Sequence, residues 1–364
     1  MKNVLFICNT HYQLIVALQM RLTTFSEDNC YLVITNCSKG TKGVAERLKN
    51  QKVFKDVYYQ EVYGLNEKST LKHKWFYLKG AIFGNKKYKL SGGVSFDEII
   101  SFNFDLHSHI IFANEYKKNK NVKCEKMEEG LLSYSTKDTT CGILNAVYKI
   151  RKLLKLQNLK ATINKFYCFS PLAYKGNLEA TKIPKILVND KKLKEILTSI
   201  YENESKREYK EKYIYLPCVY DFEGGEAIGE LELAVELANA VGKENLLVKV
   251  HPRDDVSRYI SAGLTVDKNS SIPWEVIQIN NDFEDKVLLS TLSTSLLTTA
   301  LLFENSPSCY YLYSKCNLDK NDLAKYYKNI LENYLKDANS LGLKNVYIAN
   351  SFEDIIKKIK EKCL

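Results

Sequence analysis

The sequence predicts an α/β fold of two Rossmann-like, doubly wound domains that face each other across a cleft. Apolar, strand-like runs alternate with helical stretches in both halves of the chain, which is typical of parallel βαβ units. At 364 residues the chain exceeds the size at which one hydrophobic core usually keeps growing, so two domains are expected. Short polar signatures follow several strand-like runs, and open α/β sheets bind ligands at the carboxyl ends of their strands.

The first half contains five strand-like runs and two helical stretches. The runs are short and rich in Val, Ile, Leu and Phe, whereas the helical stretches have apolar residues at helical spacing. The predicted strands are residues 4–8, 30–35, 98–102, 110–113 and 122–127, and the predicted helices are residues 11–22 and 40–49.

The second half repeats this pattern. A strongly periodic helix is predicted over residues 227–241. The predicted strands are residues 213–217, 246–250, 276–279, 286–289 and 307–313.

These elements divide the chain into residues 1–185, a linker over 186–212 and residues 213–364. The middle, about 149–212, is lysine-rich and short of strong strand signals, so we expect helices and a domain boundary there. A basic amphipathic helix is predicted over residues 352–362, packed back on the N-terminal domain.

Composition predicts a cytoplasmic protein. No apolar run approaches the ~20 residues that span a bilayer. The N-terminus has the pattern of a first strand rather than of a signal peptide. The ten cysteines are scattered without a Cys-x-x-Cys pair, which favours free thiols and gives no zinc-ligand spacing.

The net charge of +10 indicates attraction to an anionic partner: a membrane surface, a nucleotide or an acidic glycan. Basic residues cluster over 117–120 and again over 149–160. Solvated helix faces explain such runs equally well. The sequence has none of the usual nucleic-acid-binding patterns. Peripheral contact with the cytoplasmic face of the inner membrane is therefore an expectation, and the composition leaves room for a homodimer.

The first signature, Glu128-Glu129-Gly130, follows the predicted strand 122–127. A carboxylate at a strand end, with glycine permitting a tight turn, suits a general base that accepts a proton from a hydroxyl. Adjacent side chains on a strand point in opposite directions, so only one of the two acids should face a substrate. An exposed acidic turn is the competing interpretation.

Two further signatures end strands of the second half. His251-Pro252 follows the strand 246–250, where an imidazole can donate a hydrogen bond or a proton to a leaving phosphate. The hydroxyls of Ser293, Thr294 and Ser295 precede an apolar helix, and a helix N-terminus with such side chains binds anions.

The turn after the first predicted strand, Asn9-Thr10-His11-Tyr12-Gln13, is the usual ligand-facing turn of a doubly wound domain. The chain contains no glycine-rich dinucleotide or Walker sequence. A second acidic-glycine segment contains Asp221 and Glu223 at another strand end, and either is a lesser candidate for the base.

With these residues in place, the chain resembles the bacterial sialyltransferases, most closely the lipooligosaccharide and capsule sialyltransferase family. The resemblance rests on four motifs in this order along most of the chain: Cys8 to Ile15, the acidic motif continuing through Leu131-Leu132-Ser133-Tyr134, His251-Pro252 and Ser293-Thr294-Ser295.

The resemblance implies a GT-B fold and a metal-independent, inverting transfer from CMP-sialic acid to a galactoside-type hydroxyl of a bacterial surface glycan, with no cofactor. It implies a catalytic base at Glu129, with Glu128 as the alternative, and a phosphate contact at His251. Donor contacts are implied at Lys249, Pro252, Glu275, Ser293, Thr294 and Ser295, and cleft contacts at Asn9, Thr10 and Gln13. The alternatives are a GT-B enzyme with another sugar nucleotide, such as a glucosyl or N-acetylhexosaminyl donor, and a non-catalytic glycan- or nucleotide-binding protein.

Overall fold

A computed structural model of the chain contains two compact α/β units. The first comprises residues 1–129, 133–184 and 195–202, and the second comprises residues 130–132, 185–194 and 203–364. The structure describes residues 1–62, 70–90, 92–134, 142–187, 190–201, 208–267, 272–336 and 343–355.

The first unit is built on a parallel seven-stranded sheet of order β3-β2-β1-β4-β5-β6-β7. Its two central strands, β1 and β4, are almost completely buried, as expected for strands covered on both faces. The strands are β1 (Asn3–Cys8), β2 (Asn29–Thr35), β3 (Val57–Gln60), β4 (Glu98–Ser101), β5 (Lys123–Met127), β6 (Lys165–Cys168) and β7 (Glu179–Lys182). The helices are α1 (His11–Leu22), α2 (Thr41–Asn50), α3 (Leu71–Phe83), α4 (Leu106–Lys118) and α5 (Gly142–Leu153), and α6 (Lys191–Ile200) follows in the chain.

The strand order reverses direction between β1 and β4. Right-handed crossovers therefore place α1 and α2 on one face of this sheet and the helices between β3 and β6 on the other. The reversal also opens a crevice at the carboxyl ends of β1 and β4, the position at which doubly wound sheets bind ligands.

The second unit has a parallel five-stranded sheet of order β12-β11-β10-β8-β9, whose reversal lies between β8 and β10. A continuous core joins this sheet to α7, α8 and the buried side chains of Phe352 and Ile355. The strands are β8 (Tyr213–Tyr215), β9 (Leu246–Val248), β10 (Val287–Ser290), β11 (Ser308–Tyr311) and β12 (Val346–Ile348). The helices are α7 (Glu230–Val241), α8 (Val256–Ser261), α9 (Trp274–Asn280), α10 (Thr294–Leu302) and α11 (Asp322–Leu335).

The α/β class and the doubly wound parallel sheets are thus confirmed, but two predicted strands are wrong. Residues 110–113 lie inside α4, and residues 276–279 lie inside α9. Both helices are buried nearly all round, and a short apolar run of this kind looks the same in a buried strand and in a buried helix. The α4 start is set by Asp105, whose carboxylate accepts a hydrogen bond from Ser108 N at 2.8 Å.

The prediction that residues 149–212 lack strands is also wrong. β6 and β7 complete the first sheet there, with β6 paired to β5. Their segments are only four residues long and include lysines, so their strand character comes from pairing with a neighbour rather than from local sequence. Of the predicted C-terminal helix, residues 356–362 lie outside the described residues.

The described cysteines are free thiols and most are buried. Within the described ranges, none of the helices has the length and apolar character needed to cross a membrane.

Candidate functional site

The predicted signatures lie at the carboxyl ends of parallel strands in both units. In the first unit, the Asn9–Gln13 turn follows β1 and the acidic pair follows β5. In the second unit, Lys249 and His251 follow β9, and Ser293 follows β10. Within each unit, parallel strands bring their carboxyl ends to one edge of the sheet, and the predicted residues gather there.

The Glu128 carboxylate is completely buried and accepts three hydrogen bonds from other residues of the chain. Its Oε1 accepts a hydrogen bond from the Tyr12 hydroxyl at 2.9 Å. Its Oε2 accepts one from the backbone N–H of Phe169 at 2.9 Å and another from the Tyr134 hydroxyl. Three donors on a buried carboxylate stabilise the charged form and hold the segment after β5 against α1 and the segment after β6.

The Glu129 carboxyl has a different environment. Its Oε1 accepts a hydrogen bond from the Thr10 hydroxyl at 3.2 Å. Burial raises the pKa of Glu129 to about 7, although the neighbouring polar side chains of Gln13 and Thr10 partly offset this. The two adjacent acids therefore differ in environment, as the alternation of side chains predicts: one is held by three donors, and the other has a pKa of about 7.

The turn that supports Glu129 is ordered by its own side chains. Thr10 caps α1, because its hydroxyl accepts a hydrogen bond from Gln13 N at 3.2 Å. The Gln13 Oε1 in turn accepts from Asn9 N at 2.7 Å, and the buried Asn9 amide oxygen accepts from the Thr35 hydroxyl at 2.9 Å. Thr10 and Gln13 reach Glu129, whereas the described contacts of Asn9 shape the turn.

Gly130 follows the two acids with φ +71°, a backbone conformation that favours glycine. A side chain at this position would strain the turn that directs Glu129. The backbone conformation therefore explains why the acidic motif ends in a glycine.

In the second unit, His251 is half-buried and its ring has a defined tautomer. The backbone N–H of Arg253 donates to Nδ1 at 3.1 Å, so the ring proton of the neutral imidazole is on Nε2. Burial, followed by the positive charge of Arg253, lowers the pKa of His251. Its Nε2–H is therefore a neutral hydrogen-bond donor. Pro252, the next residue, is exposed.

The loop after His251 is held by an ion-pair cluster around Arg258. The Arg258 guanidinium donates to Asp221 Oδ2 and to Asp254 Oδ2, both at 2.8 Å. The backbone N–H of Asp254 donates to the His251 carbonyl at 2.9 Å, so the cluster and the histidine belong to one folded loop. Sequence reasoning missed Arg258, because its partner Asp221 is 37 positions away, although Asp254 is a local partner four residues earlier.

Both carboxylate oxygens of Asp221 accept hydrogen bonds, one from this cluster and the other from the start of α7. Its Oδ1 accepts from three consecutive backbone N–H groups, those of Ile228, Gly229 and Glu230, at 3.0–3.2 Å. Burial alone would raise its pKa, but Arg258 and these N–H groups lower the pKa below its ordinary value. Glu223 forms an ion pair with Arg253 at 2.6 Å. Both lesser candidates for the base thus form ion pairs with arginine side chains.

Lys249 and Glu275 lie within electrostatic reach of each other. Burial lowers the pKa of Lys249 to about 8, offset by the negative charges of Asp267 and Glu275. Burial raises the pKa of Glu275, and its Oε1 accepts a hydrogen bond from Thr298 of α10 at 3.1 Å. A buried amine and a buried carboxyl thus lie close to each other in the second unit.

The Ser293–Ser295 segment forms the N-terminus of α10. The Ser293 hydroxyl accepts from Ser295 N at 3.2 Å, so Ser293 is the helix cap. All three residues are half-buried, whereas the rest of the helix is buried. The predicted arrangement of hydroxyls at a helix N-terminus is present, and such a terminus attracts anions.

Glu230 is a buried carboxyl that sequence reasoning also missed. It accepts hydrogen bonds from the Thr291 and Tyr215 hydroxyls, and burial raises its pKa to about 7. Thr291 lies in the turn before Ser293, so Glu230 connects that turn to the start of α7. The only local signal was an acidic residue in the first turn of a predicted helix.

Potential metal ligands do not cluster in the described part of the chain: no three His, Cys, Asp or Glu side chains gather into a group that could hold a metal ion.

The chain is distantly similar to several solved structures. The α/β-galactoside α-2,3-sialyltransferase of the luminous marine bacterium Photobacterium phosphoreum has 9% identity and a TM-score of 0.47, over 95% of this chain and 98% of that chain. A sialyltransferase from Photobacterium damsela has 12% identity and a TM-score of 0.47, over 95% and 81%. MurG of Acinetobacter baumannii has 9% identity and a TM-score of 0.45, over 100% and 91%. No curated protein matches the chain in sequence.

The model of the alpha-2,8-polysialyltransferase (POLYST) family matches residues 4–313. This match includes β1 with its turn, the acidic pair, His251 and the start of α10. The predicted GT-B class holds at the level of its two doubly wound α/β units. The chain therefore belongs to the alpha-2,8-polysialyltransferase family and is a glycosyltransferase, specifically a sialyltransferase.

Proposed function

We propose that the protein transfers sialic acid from CMP-sialic acid to a glycan hydroxyl with inversion at the anomeric carbon, and that Glu129 is the general base. The observation that carries this proposal is the contrast between two adjacent acids at the end of β5. Glu128 is fully occupied by three donors, whereas the pKa of Glu129 is about 7 and its neighbours are Thr10 and Gln13.

A carboxylate with this pKa is suited to accept a proton from an acceptor hydroxyl. A base is most efficient when its pKa lies near the working pH, because it is then largely ionised and still basic. The hydrogen bond from Thr10 orients the carboxylate and keeps the pKa from rising further. Glu128 positions the loop and takes no part in proton transfer.

In this proposal, uncharged hydrogen-bond donors of the second unit stabilise the phosphate that leaves from the sugar nucleotide. The Nε2–H of His251 donates one hydrogen bond, and the N-terminus of α10 with Thr294 and Ser295 supplies further donors and a positive dipole. Preorganised donors of this kind stabilise charge that develops on a leaving group. The proposal therefore needs no metal ion and no cofactor.

Lys249 and Glu275 would contact the nucleoside of the donor. A carboxyl suits two ribose hydroxyls, and an amine with a pKa of about 8 is cationic at neutral pH and can donate to a base carbonyl. The anomeric carbon of sialic acid favours an oxocarbenium-like transition state, as in glycoside hydrolysis. Inversion then requires the base and the leaving group to lie on opposite faces of the sugar.

The family description favours a second sialic acid as the acceptor, joined in α-2,8 linkage and repeated into a polymer. A galactoside hydroxyl of a lipooligosaccharide or capsule glycan is the second candidate acceptor. Either acceptor is compatible with the cytoplasmic location that the composition predicts. The positive net charge suits an anionic acceptor, which favours the sialylated one.

The experiment measures CMP release and product linkage with CMP-sialic acid and either a sialylated oligosaccharide or lactose. UDP-glucose and UDP-N-acetylglucosamine serve as alternative donors. Glu129→Gln and His251→Ala are compared with Glu46→Gln, a matched change at an exposed position on α2. Transfer by wild type and Glu46→Gln, lost in the other two, supports the proposal.

Each failure has a separate meaning. Full activity in Glu129→Gln would remove the base assignment. Transfer only from a UDP-sugar would replace the donor, and nucleotide binding without turnover on any donor would favour a non-catalytic protein.

A further inference from the structure

Helix α3 has one buried face and one unusually apolar exposed face. Tyr77, Ala81 and Ile82 pack into a core cluster of the first unit. Residues spaced by four on another side of the helix are exposed, and such spacing keeps them on one face. These exposed residues are Leu71, at 85% exposure, Trp75, at 62%, Lys79 and Phe83.

The end of α5 lies beside the end of α3 and also exposes apolar side chains. Arg151 is buried at the C-terminal part of α5, and its guanidinium donates to the backbone carbonyls of Ala81 and Ile82 at the end of α3. This contact brings the ends of the two helices together. Leu153, at 82% exposure, and the exposed Leu154 follow directly. We call the exposed residues of α3 and the end of α5 the basic apolar surface.

The two chain segments that form this surface carry charge of one sign. The sequence has no acidic residue from Thr70 to Phe96 or from Gly142 to Ile163. These segments contain the exposed residues Lys72, Lys79, Lys86, Lys89, Lys149, Lys152, Lys155 and Lys160. Arg151 belongs to the same basic run over residues 149–160, but it is buried and bonds backbone carbonyls, so it does not contribute to the surface charge.

We propose that the basic apolar surface docks the enzyme on an anionic lipid bilayer. Lysines around exposed Trp and Leu side chains match the headgroup and acyl boundary of such a bilayer: the charges meet anionic headgroups, the Trp ring inserts at interfacial depth, and leucines bury apolar area. A soluble acidic polymer would match the lysines alone and give no reason for five large apolar side chains exposed beside them. This inference does not depend on the proposed catalytic roles.

The first test is sedimentation of the full chain with vesicles. Phosphatidylglycerol–phosphatidylcholine vesicles are compared with pure phosphatidylcholine vesicles at low and high salt. We expect binding to the anionic vesicles that weakens as salt rises. Trp75→Ser/Leu153→Ser and Lys72→Glu/Lys79→Glu are each expected to weaken this binding at least about ten-fold.

The control variant is Lys42→Glu/Ile260→Ser. It makes one charge reversal and one apolar deletion at exposed positions outside the surface, on α2 and α8. It should bind vesicles as wild type does. Circular dichroism and thermal unfolding establish that every variant is folded before its binding is compared.

Tryptophan fluorescence adds a local readout, because Trp75 is exposed and Trp274, the other tryptophan, is buried. Anionic vesicles should shift the emission to shorter wavelength in wild type and not in Trp75→Phe. No binding to anionic vesicles, or equal loss in the control variant, would overturn the proposal. Binding that Lys72→Glu/Lys79→Glu loses but Trp75→Ser/Leu153→Ser retains would also overturn it, in favour of an acidic glycan.

Discussion

The hydroxyl of Tyr134 donates a hydrogen bond to the carboxylate of Glu128, six residues earlier in the chain. The same hydroxyl accepts a hydrogen bond from the backbone N–H of Ser170 at 3.2 Å. Tyr134 therefore joins the acidic motif to the segment that follows β6. This relationship explains why one acid of the pair is structural, and it makes the two acids separable by experiment.

Glu128→Gln should destabilise the protein by about 2–3 kcal/mol, because an amide would present N–H groups to donors that now bind a buried carboxylate. Urea denaturation measures this loss, and Tyr134→Phe should reproduce about half of it. Glu129→Gln is the matched control, with no comparable loss. Equal stability of Glu128→Gln and wild type would contradict the structural role.

Glu129 should make activity and stability respond oppositely to pH. The folded-state pKa of about 7 lies above the ordinary value of 4.5, so the folded protein binds this proton more tightly than the unfolded chain. The resulting stability is fully present below pH 4.5 and is lost as pH rises through 7. Its full size is about 3 kcal/mol. Activity should rise over the same upper range, because the base must be ionised.

The measurement is thermal unfolding and kcat/KM from pH 5.5 to 8.5. Glu129→Gln should unfold at higher temperature than wild type at pH 8, and the difference should shrink towards pH 5.5. A stability difference that is independent of pH would show that Glu129 does not titrate in this range.

His251→Ala should lower kcat by about 10²–10³-fold, the usual effect of losing one preorganised donor to a leaving group. Because His251 has a lowered pKa and donates as a neutral ring, the residual activity should keep the same rise with pH near 7. A pH–rate profile of the variant checks this. Disappearance of that rise would assign it to His251 instead of Glu129.

The two hydroxyls at the start of α10 should behave differently. Ser293→Ala should lower stability by about 1 kcal/mol, because it removes a helix cap. Thr294→Val should leave stability nearly unchanged and raise the KM for the donor several-fold, since Thr294 begins the helix and is available to phosphate. Thermal unfolding together with donor titration separates these effects. A stability loss in Thr294→Val equal to that in Ser293→Ala would refute the distinction.

Arg258→Met should destabilise the second unit by about 3 kcal/mol, because Asp221 and Asp254 would lose a common partner in a partly buried site. The His251 loop belongs to the same cluster, so donor KM should rise as well. Lys320→Met is the control, since it removes an exposed ion pair with Glu226 that should contribute little. Similar losses in both variants would argue against the cluster's importance.

The sequence predicted the elements with a clear apolar pattern correctly. The strands β1, β5 and β10 and the helices α1 and α7 were recognisable because apolar periodicity is a local property. The errors fall on short buried segments: residues 110–113 and 276–279 have apolar side chains that suit a buried strand or a buried helix. The strands β6 and β7 were missed because their short, lysine-containing segments lack the apolar run by which a buried strand is recognised.

Residue chemistry was determined by the sequence alone: an acidic pair before a glycine, a histidine before a proline and a hydroxyl cluster before an apolar helix, each after a strand. Only the tertiary structure decided which acid is held by Tyr12, Tyr134 and Phe169 and which has a pKa near 7 beside Thr10. The physical reason is that hydrogen bonding and burial depend on residues brought together by the fold, some of them 116 and 119 positions away in the chain, which no local pattern specifies. Parallel strand pairing creates those neighbours, and the neighbours then assign the roles.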